Sequence, residues 1–238
     1  MIRIADLATR PELRGPALRL GSVGGEFLGR GLTAGLASSA RLAAHWPEFF
    51  LVLLDAAETP VARAAAIPVA FPADDRSELP DHGWDGALVW AAEDHLDGTP
   101  PTTLVALEVY VAETARGQGI AGIALAELKE RARRAGLDSL VVPVRPTGKP
   151  PLESIVDYLA TGADPWLRSH ERLGGQFRKV APFAMTVIGT FAQWQEWTGV
   201  RLRDGPNVVP GGIAPVIGSA AQDLGGYVEP NVWYEHPL

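Results

Sequence analysis

The stretch Arg116 to Ala121, with the sequence RGQGIA, has the residue types of a phosphate-binding turn. The first backbone amides of a helix have no partner inside the helix, and they lie at the positive end of its dipole. Glycines at positions 117 and 119 remove side chains that would hold a ligand away from those amides. We therefore expect this turn to bind a pyrophosphate group.

The segments around the turn predict a strand, a helix and a second strand. The side chains of Thr102–Val111 are expected to alternate between the two faces of a strand. One face carries Thr103, Val105, Leu107 and Val109, and the other carries Thr102, Leu104, Ala106, Glu108 and Tyr110. The helix that follows ends at Gly136, and its predicted buried stripe is Ile120, Ile123, Ala124, Leu128 and Ala132. Leu137–Val144 is then an apolar strand. A strand, a helix and a strand at this spacing form a crossover that makes the two strands parallel.

The rest of the chain predicts further strands and short helices around this unit. Phe49–Asp55 and Val61–Phe71 are expected to form an antiparallel hairpin. Asp164-Pro165 is a strong helix start for Trp166–Leu173. The remaining expectations are a first strand in Met1–Leu7, glycine-loosened helices within Pro11–Trp46, a helix in Gly86–His95, strands in Gln176–Val180 and Phe183–Phe191, and a strand in Tyr227–Tyr234.

Composition excludes several classes of function. The chain has 238 residues, no cysteine and a net charge of −7, so disulfides, thiolate chemistry and a nucleic-acid-binding surface are not expected. Its five histidines show no metal-ligand spacing, and no Gly-x-Ser-x-Gly nucleophile elbow occurs. No signal-peptide pattern or long uncharged apolar run is present, so we expect a soluble cytoplasmic protein that binds no membrane.

These features, in this order, resemble the GNAT superfamily of acyl-CoA N-acyltransferases. The match is Val111, followed at the family's spacing by the Arg116–Ala121 turn, with a later helix ending Arg172-Leu173-Gly174. The signature covers 102–191. The resemblance implies one α/β domain over 1–238, with a mixed sheet whose central parallel strands splay apart and with an elaboration at 200–238.

The resemblance also implies an N-acyltransferase whose co-substrate is acetyl-CoA and which needs no metal. The expected acceptor is a small-molecule or peptide amine, and a homodimer is one expected assembly. Because no cysteine can carry the acyl group, direct attack in a ternary complex is favoured. Backbone groups of two strand residues would bind the pantetheine arm, and amides of the turn would bind the pyrophosphate. These cofactor-binding residues are Val109, Val111, Arg116, Gly117, Gln118, Gly119, Ile120 and Ala121.

Two residues are candidates for acid–base chemistry. The family's tyrosine acid aligns with His170, which can donate a proton as imidazolium or can equally be a solvated helix histidine. Glu108 is the only acid on the signature strand and is the candidate general base. The family's bases align with Leu107 and Val105, so Glu108 faces the other way unless a β-bulge turns it, and a salt-bridge role is an equal alternative. Tyr110 shares the face of Glu108.

Two alternatives to acetyl transfer stay open at this point. One is a non-catalytic acyl-CoA-binding module on the same fold, and the other is an acyltransferase for longer acyl chains. Arg145 and Lys149 follow the second parallel strand and are expected to be solvated loop charges, with phosphate contacts as the alternative. The acceptor amine itself is not readable from the sequence.

Overall fold

The computed structural model describes residues 2–21, 24–36 and 38–238. Within these residues, nine strands form one mixed sheet in the order β1-β2-β3-β4-β5-β9-β8-β7, and β6 pairs with β9. The strands are β1 (Arg3–Asp6), β2 (Phe50–Leu54), β3 (Pro60–Val69), β4 (Thr103–Val111), β5 (Ser139–Val144), β6 (Gln176–Gly189), β7 (Gly205–Asn207), β8 (Val216–Ser219) and β9 (Leu224–Pro237).

The described helices cover both faces of this sheet. They are α1 (Arg14–Leu18), α2 (Ser39–His45), α3 (Gly83–Asp97), α4 (Ile120–Arg134), α5 (Ile155–Ala160), α6 (Pro165–Arg172) and α7 (Phe191–Thr198). Two short 3₁₀ segments that matter below are Glu26–Arg30 and Thr33–Gly35. None of the described helices combines the length and the apolar character that a membrane crossing requires.

The core lies in layers on either side of the sheet. The continuous apolar run of β2 is buried along its whole length, as expected for a strand covered on both faces. One face packs against apolar residues of α1, α2 and α3, and we call it the α3 face. The other packs against α4 and against Leu167 of α6, and we call it the α4 face. In α4, Leu125 is buried whereas Ile123 is 40% exposed, so the prediction that Ile123 belongs to the buried stripe is wrong.

The two central parallel strands separate after three residue pairs. β4 and β5 pair only from Thr103–Ser139 to Val105–Val141, although β4 continues to Val111 and β5 to Val144. Beyond Val105 the edge of β4 that faces β5 has no strand beside it. β5 instead stays paired with β9 as far as Val144. The predicted splayed pair is confirmed.

A β-bulge in β4 reverses the alternation of its side chains. Ala65 of β3 pairs with Glu108 and Ala66 pairs with Ala106, so Leu107 is the extra residue. Leu104 and Ala106 pack on the α4 face, and beyond the bulge Val109 and Val111 also pack there. Glu108 and Tyr110 therefore share the α3 face with Val105 and Leu107. The predicted grouping of Val109 with Val105, and of Glu108 with Ala106, is wrong because an extra residue shifts a two-residue period by one.

The remaining expectations differ from the structure mainly at element ends. Gln176–Gly189 is one strand with two irregularities instead of two strands, and Phe191 begins α7 after a capping box at Thr190. The helix expected in Gly86–His95 begins at Gly83. Met1 of the predicted first strand lies outside the described residues. The C-terminal segment forms β9, which lies between β5 and β6.

Candidate active site

The turn before α4 exposes unpaired backbone amides. Gly117 and Gly119 have φ angles of +78° and +73°, and a Cβ atom built on either would meet nothing within 4 Å. Glycine adopts this left-handed conformation without the steric cost that other residues incur. The first hydrogen bond into the helix is donated by Ile123 to the carbonyl of Gly119, at 3.2 Å. The amides of Ile120, Ala121 and Gly122 therefore have no acceptor within the helix.

Backbone groups of Val109 and Val111 point into the gap between β4 and β5. The amide of Ala112 donates to the carbonyl of Val61 at 2.9 Å, which makes these two residues a hydrogen-bonded pair of the β3–β4 ladder. In an antiparallel ladder the hydrogen-bonded residues alternate with residues whose amides and carbonyls point to the opposite edge. Val109 and Val111 belong to that second set. The Val111 carbonyl already accepts a 3.3 Å hydrogen bond from Nε of Arg116.

This arrangement fits the diphosphate and pantetheine of coenzyme A. An open strand edge can pair with the amides of an extended chain, and it leads to a helix N-terminus where anions are stabilised. The glycine turn leaves the space in which a phosphate would lie. The residues proposed from sequence to bind the cofactor are thus brought together along one edge of the gap.

Glu108 lies on the α3 face in an ion pair with a buried arginine. Nη2 and Nε of Arg63, on β3, donate to the two carboxylate oxygens of Glu108 at 2.6 and 3.1 Å. Nη1 of Arg63 also donates to the carbonyl of Ala17 at 3.0 Å, and the guanidinium lies 5.3 Å from the ring centre of Tyr110. The side chain of Arg63 is 3% exposed and that of Glu108 is 17% exposed. Arg63 therefore fixes the orientation of a carboxylate that remains partly accessible.

The bulge itself is held by α3. Nε1 of Trp84, in the first turn of α3, donates to the carbonyl of Leu107 at 3.2 Å. Gly83 lets the same turn approach β6 closely, because a Cβ atom there would lie 2.5 Å from Cβ of Ala184. The first turn of α3 thus lies beside the bulge at Leu107, and no sequence motif indicated its role.

A second buried ion pair lies on β9, where β5 has ended. Nε of Arg145 donates to both oxygens of Glu229, at 2.8 and 3.0 Å, and the hydroxyl of Tyr227 donates to the same carboxylate. Lys149 is also buried and donates to the carbonyl of Ile213 at 2.9 Å. The prediction that Arg145 and Lys149 are solvated loop charges is therefore wrong. Burial lowers the pKa of Lys149.

His170 is buried on the other side of the sheet. It is 1% exposed, and its Nδ1 lies 3.0 Å from Nε2 of His236, which is 0% exposed. His236 pairs with Leu140 on β5, within the closed part of the β4–β5 pair. Burial, with a smaller contribution from the neighbouring imidazole, lowers the pKa of His170 to about 3. A ring with this pKa is neutral near pH 7, which argues against the imidazolium donor proposed from sequence.

His170 and Glu108 are not brought together. His170 packs against the rings of Tyr234 and Trp166 on the α4 face, whereas Glu108 lies on the α3 face. The alternative expectation of a solvated histidine is wrong as well, because the ring is enclosed. The ring is enclosed because α6 packs inward through His170 and Leu167.

Asp164 organises the loop that follows β5. Its carboxylate caps α6 through the amides of Trp166 and Leu167, and it also accepts from the amide of Gly148 and the hydroxyl of Tyr158. Burial favours a raised pKa for Asp164, but these hydrogen bonds outweigh it and the pKa is lowered. Burial and the adjacent carboxylate raise the pKa of Tyr158 to about 12. The aspartate therefore joins the loop that follows β5 to the start of α6.

No group of three histidine or acidic residues in the described part of the chain could hold a metal ion.

Sequence comparison relates this chain to known acetyltransferases. The acetyltransferase (GNAT) family matches residues 37–150. The arginine N-acetyltransferase avaD of Aspergillus versicolor is 35% identical over 210 residues, which cover 76% of this chain and 71% of avaD.

Two solved structures extend this similarity to the tertiary level. The loading GNATL domain of CurA from Lyngbya majuscula has a TM-score of 0.56 at 12% identity, covering 100% of this chain and 98% of that domain. The GphF GNAT-like decarboxylase, solved in complex with isobutyryl-CoA, has a TM-score of 0.51 at 17% identity, with the same coverage. At these identities the structures establish the fold alone.

Proposed function

The chain belongs to the GNAT acetyltransferase family, and we propose that it transfers the acetyl group of acetyl-CoA to the primary amine of a small cationic acceptor, with arginine as the first candidate. The family membership makes it an N-acetyltransferase, so the non-catalytic binding module is not retained. The choice of arginine rests on the 35% identical relative, which is named as an arginine N-acetyltransferase.

We propose that one edge of the gap between β4 and β5 binds the cofactor. When bound there, acetyl-CoA supplies a thioester whose acyl carbon an amine can attack. The outward groups of Val109 and Val111 would hold the pantetheine arm, and the amides from Gly117 to Gly122 would hold the pyrophosphate. Their glycine-bearing, unobstructed geometry supports this assignment.

The observation that carries the proposal is the bulge at Leu107. Without the extra residue, Glu108 would point to the α4 face together with Ala106. The bulge turns its carboxylate to the α3 face at the point where β4 and β5 begin to separate, beside the first turn of α3. We propose that Glu108 accepts the proton of the acceptor amine and that Arg63 orients it for this purpose. A positioned base typically contributes 10²–10⁴-fold to rate.

The acyl group passes directly to the amine in this proposal: the C–N bond forms, the C–S bond breaks, and CoA leaves as a thiolate that takes up a proton. The chain contains no cysteine that could carry the acyl group as a thioester. Binding both partners in a fixed orientation supplies a large part of the rate enhancement in such a reaction.

The test measures turnover of acetyl-CoA with a panel of amines. Release of the CoA thiol gives the rate, and mass spectrometry identifies the product. Glu108→Gln is expected to lower kcat/KM by about 10²-fold or more while leaving the Kd of acetyl-CoA unchanged. Glu196→Gln, an exposed change of the same type on α7, is the matched control. Thiol release that is independent of every amine would overturn the proposed function, and full activity of Glu108→Gln would overturn the base assignment.

A further inference from the structure

A cleft beside α3 has the size and chemistry of a binding site for a small molecule. It lies between α3, the 3₁₀ segments of residues 26–35 and the free edge of β6, with a volume of about 750 Å³. Volumes of roughly 300–1,000 Å³ are typical of ligand sites. Its walls combine the apolar side chains of Leu32, Val89 and Ile188 with two carboxylates, those of Asp85 and Glu93.

Asp85 is held in place by two neutral donors. The hydroxyl of Thr33 donates to Oδ1, and the amide of Thr186 donates to Oδ2 at 2.9 Å. These contacts join the first turn of α3 to the 3₁₀ segment and to the edge of β6. Each carboxylate oxygen has a second lone pair, so a further donor can bind to a carboxylate whose orientation is already fixed.

Asp85 differs from three other buried or partly buried carboxylates near α3 because it has no arginine partner. Within the described part of the chain it makes no ion pair, whereas each of three neighbouring carboxylates is paired with a buried or largely buried arginine: Asp94 with Arg76, Glu108 with Arg63 and Glu229 with Arg145. Arg30 also lines the cleft, but its guanidinium lies over the ring of Trp197.

Electrostatics around Asp85 favours a cationic ligand. Burial raises the pKa of Asp85 and the nearby carboxylate of Glu229 adds to this effect, while the two hydrogen bonds and His82 oppose it. The other acid of the cleft, Glu93, is half exposed and already ion-paired with Arg76. A carboxylate that is partly desolvated and lacks a cation gains more from a bound cation than an exposed one does.

The cleft and the bulge both border the first turn of α3. Trp84 donates to the carbonyl of Leu107 at the bulge, and the next residue, Asp85, lines the cleft. An acceptor that extends along this turn from Glu108 would place a group several bonds from its amine against Asp85. We infer that the cleft binds the cationic end of the acceptor, a guanidinium or ammonium group, with Asp85 as its counter-ion. The inference rests on the proposed function, and the apolar walls would contact the methylene stem of such a side chain.

The test compares arginine with citrulline, which has the same α-amine but an uncharged ureido group. Wild-type protein is expected to prefer arginine in kcat/KM by about tenfold or more, as a charged hydrogen bond implies. Asp85→Asn keeps a side chain of the same shape, and it is expected to bring this ratio close to one. Asp97→Asn removes the same charge from an exposed position of α3, and it should keep the wild-type ratio.

A second variant tests the inference independently if Asp85→Asn does not fold. Val89→Lys places a cation one helical turn from Asp85 at a partly exposed position, where an (i, i+4) ion pair can form. It should also reduce the preference for arginine, and Val89→Gln should not. Melting curves of each variant show whether the fold is retained.

The outcomes separate the inference from the proposed function. Equal losses for arginine and citrulline in Asp85→Asn would mean that Asp85 only fastens the 3₁₀ segment, and they would overturn the inference. So would a wild-type enzyme that turns over both substrates equally. If no amine is acetylated, the proposed function fails, and calorimetry of arginine binding in the presence of CoA decides the inference alone. Binding that weakens about tenfold in Asp85→Asn supports it, and absence of binding in wild-type protein refutes it.

Discussion

Acidification is expected to destabilise the protein through the His170–His236 pair. Burial, with a smaller contribution from nearby Lys129, lowers the pKa of His236 to about 4, although the carbonyl of Leu173 acts in the opposite direction. The pKa of His170 is about 3. Both values lie below the ordinary 6.5, so the unfolded chain binds more protons than the native protein at mildly acid pH. Burial of the two neutral rings therefore contributes fully to the free energy of unfolding above pH 6.5. This contribution is lost as the pH falls toward the folded-state pKa values of about 4 and 3.

The magnitude follows from the size of these shifts. One pKa unit corresponds to about 1.4 kcal/mol, so lowering the pH from 6.5 to 5 costs about 2 kcal/mol for each histidine. Because the two rings are 3.0 Å apart, their protonations are coupled, and about 2–4 kcal/mol is expected for the pair. That loss is a large share of the 5–15 kcal/mol by which a typical domain is stable.

Urea unfolding at pH 7.5, 6.5, 5.5 and 5.0 measures this loss directly. His170→Leu should show about half of the wild-type pH dependence, and His45→Gln, which changes an exposed histidine, should retain all of it. If the free energy of unfolding is flat between pH 6.5 and 5, the rings are not buried neutral as described. If His170→Leu instead keeps its stability profile but loses kcat with a shifted pH–rate curve, the general-acid hypothesis is restored.

Two further substitutions test the glycine turn before α4 and the Arg63–Glu108 ion pair separately. Gly119→Ala, at φ +73°, is expected to cost about 1–2 kcal/mol and to weaken acetyl-CoA binding in calorimetry, whereas Gly136→Ala, at φ +72° beyond the far end of α4, should cost as much without changing the Kd. Equal Kd changes in the two variants would argue against the phosphate-binding turn. Arg63→Met removes the buried guanidinium that donates to both oxygens of Glu108, so a loss of about 3–5 kcal/mol in urea unfolding is expected, and a variant that unfolds like wild-type protein would contradict the buried ion pair.

The glycine turn before α4 and the parallel crossover were predictable from the sequence because both are local. Two glycines before an amphipathic stretch define the helix start, and the apolar runs on either side define the strands. The separation of β4 and β5 followed from the resemblance to the family. The short helices within 11–46 were also predicted, since repeated glycines prevent one long helix there.

The tertiary structure decided which way the candidate catalytic groups point. The bulge at Leu107 exists only in the register between β3 and β4, and no residue type in β4 announces it. The partners that define two candidate residues lie far away in the chain, with Arg63 45 positions from Glu108 and His236 66 positions from His170. Sequence patterns encode which atoms a backbone segment leaves unpaired, whereas the environment of a side chain depends on distant residues that only folding brings beside it.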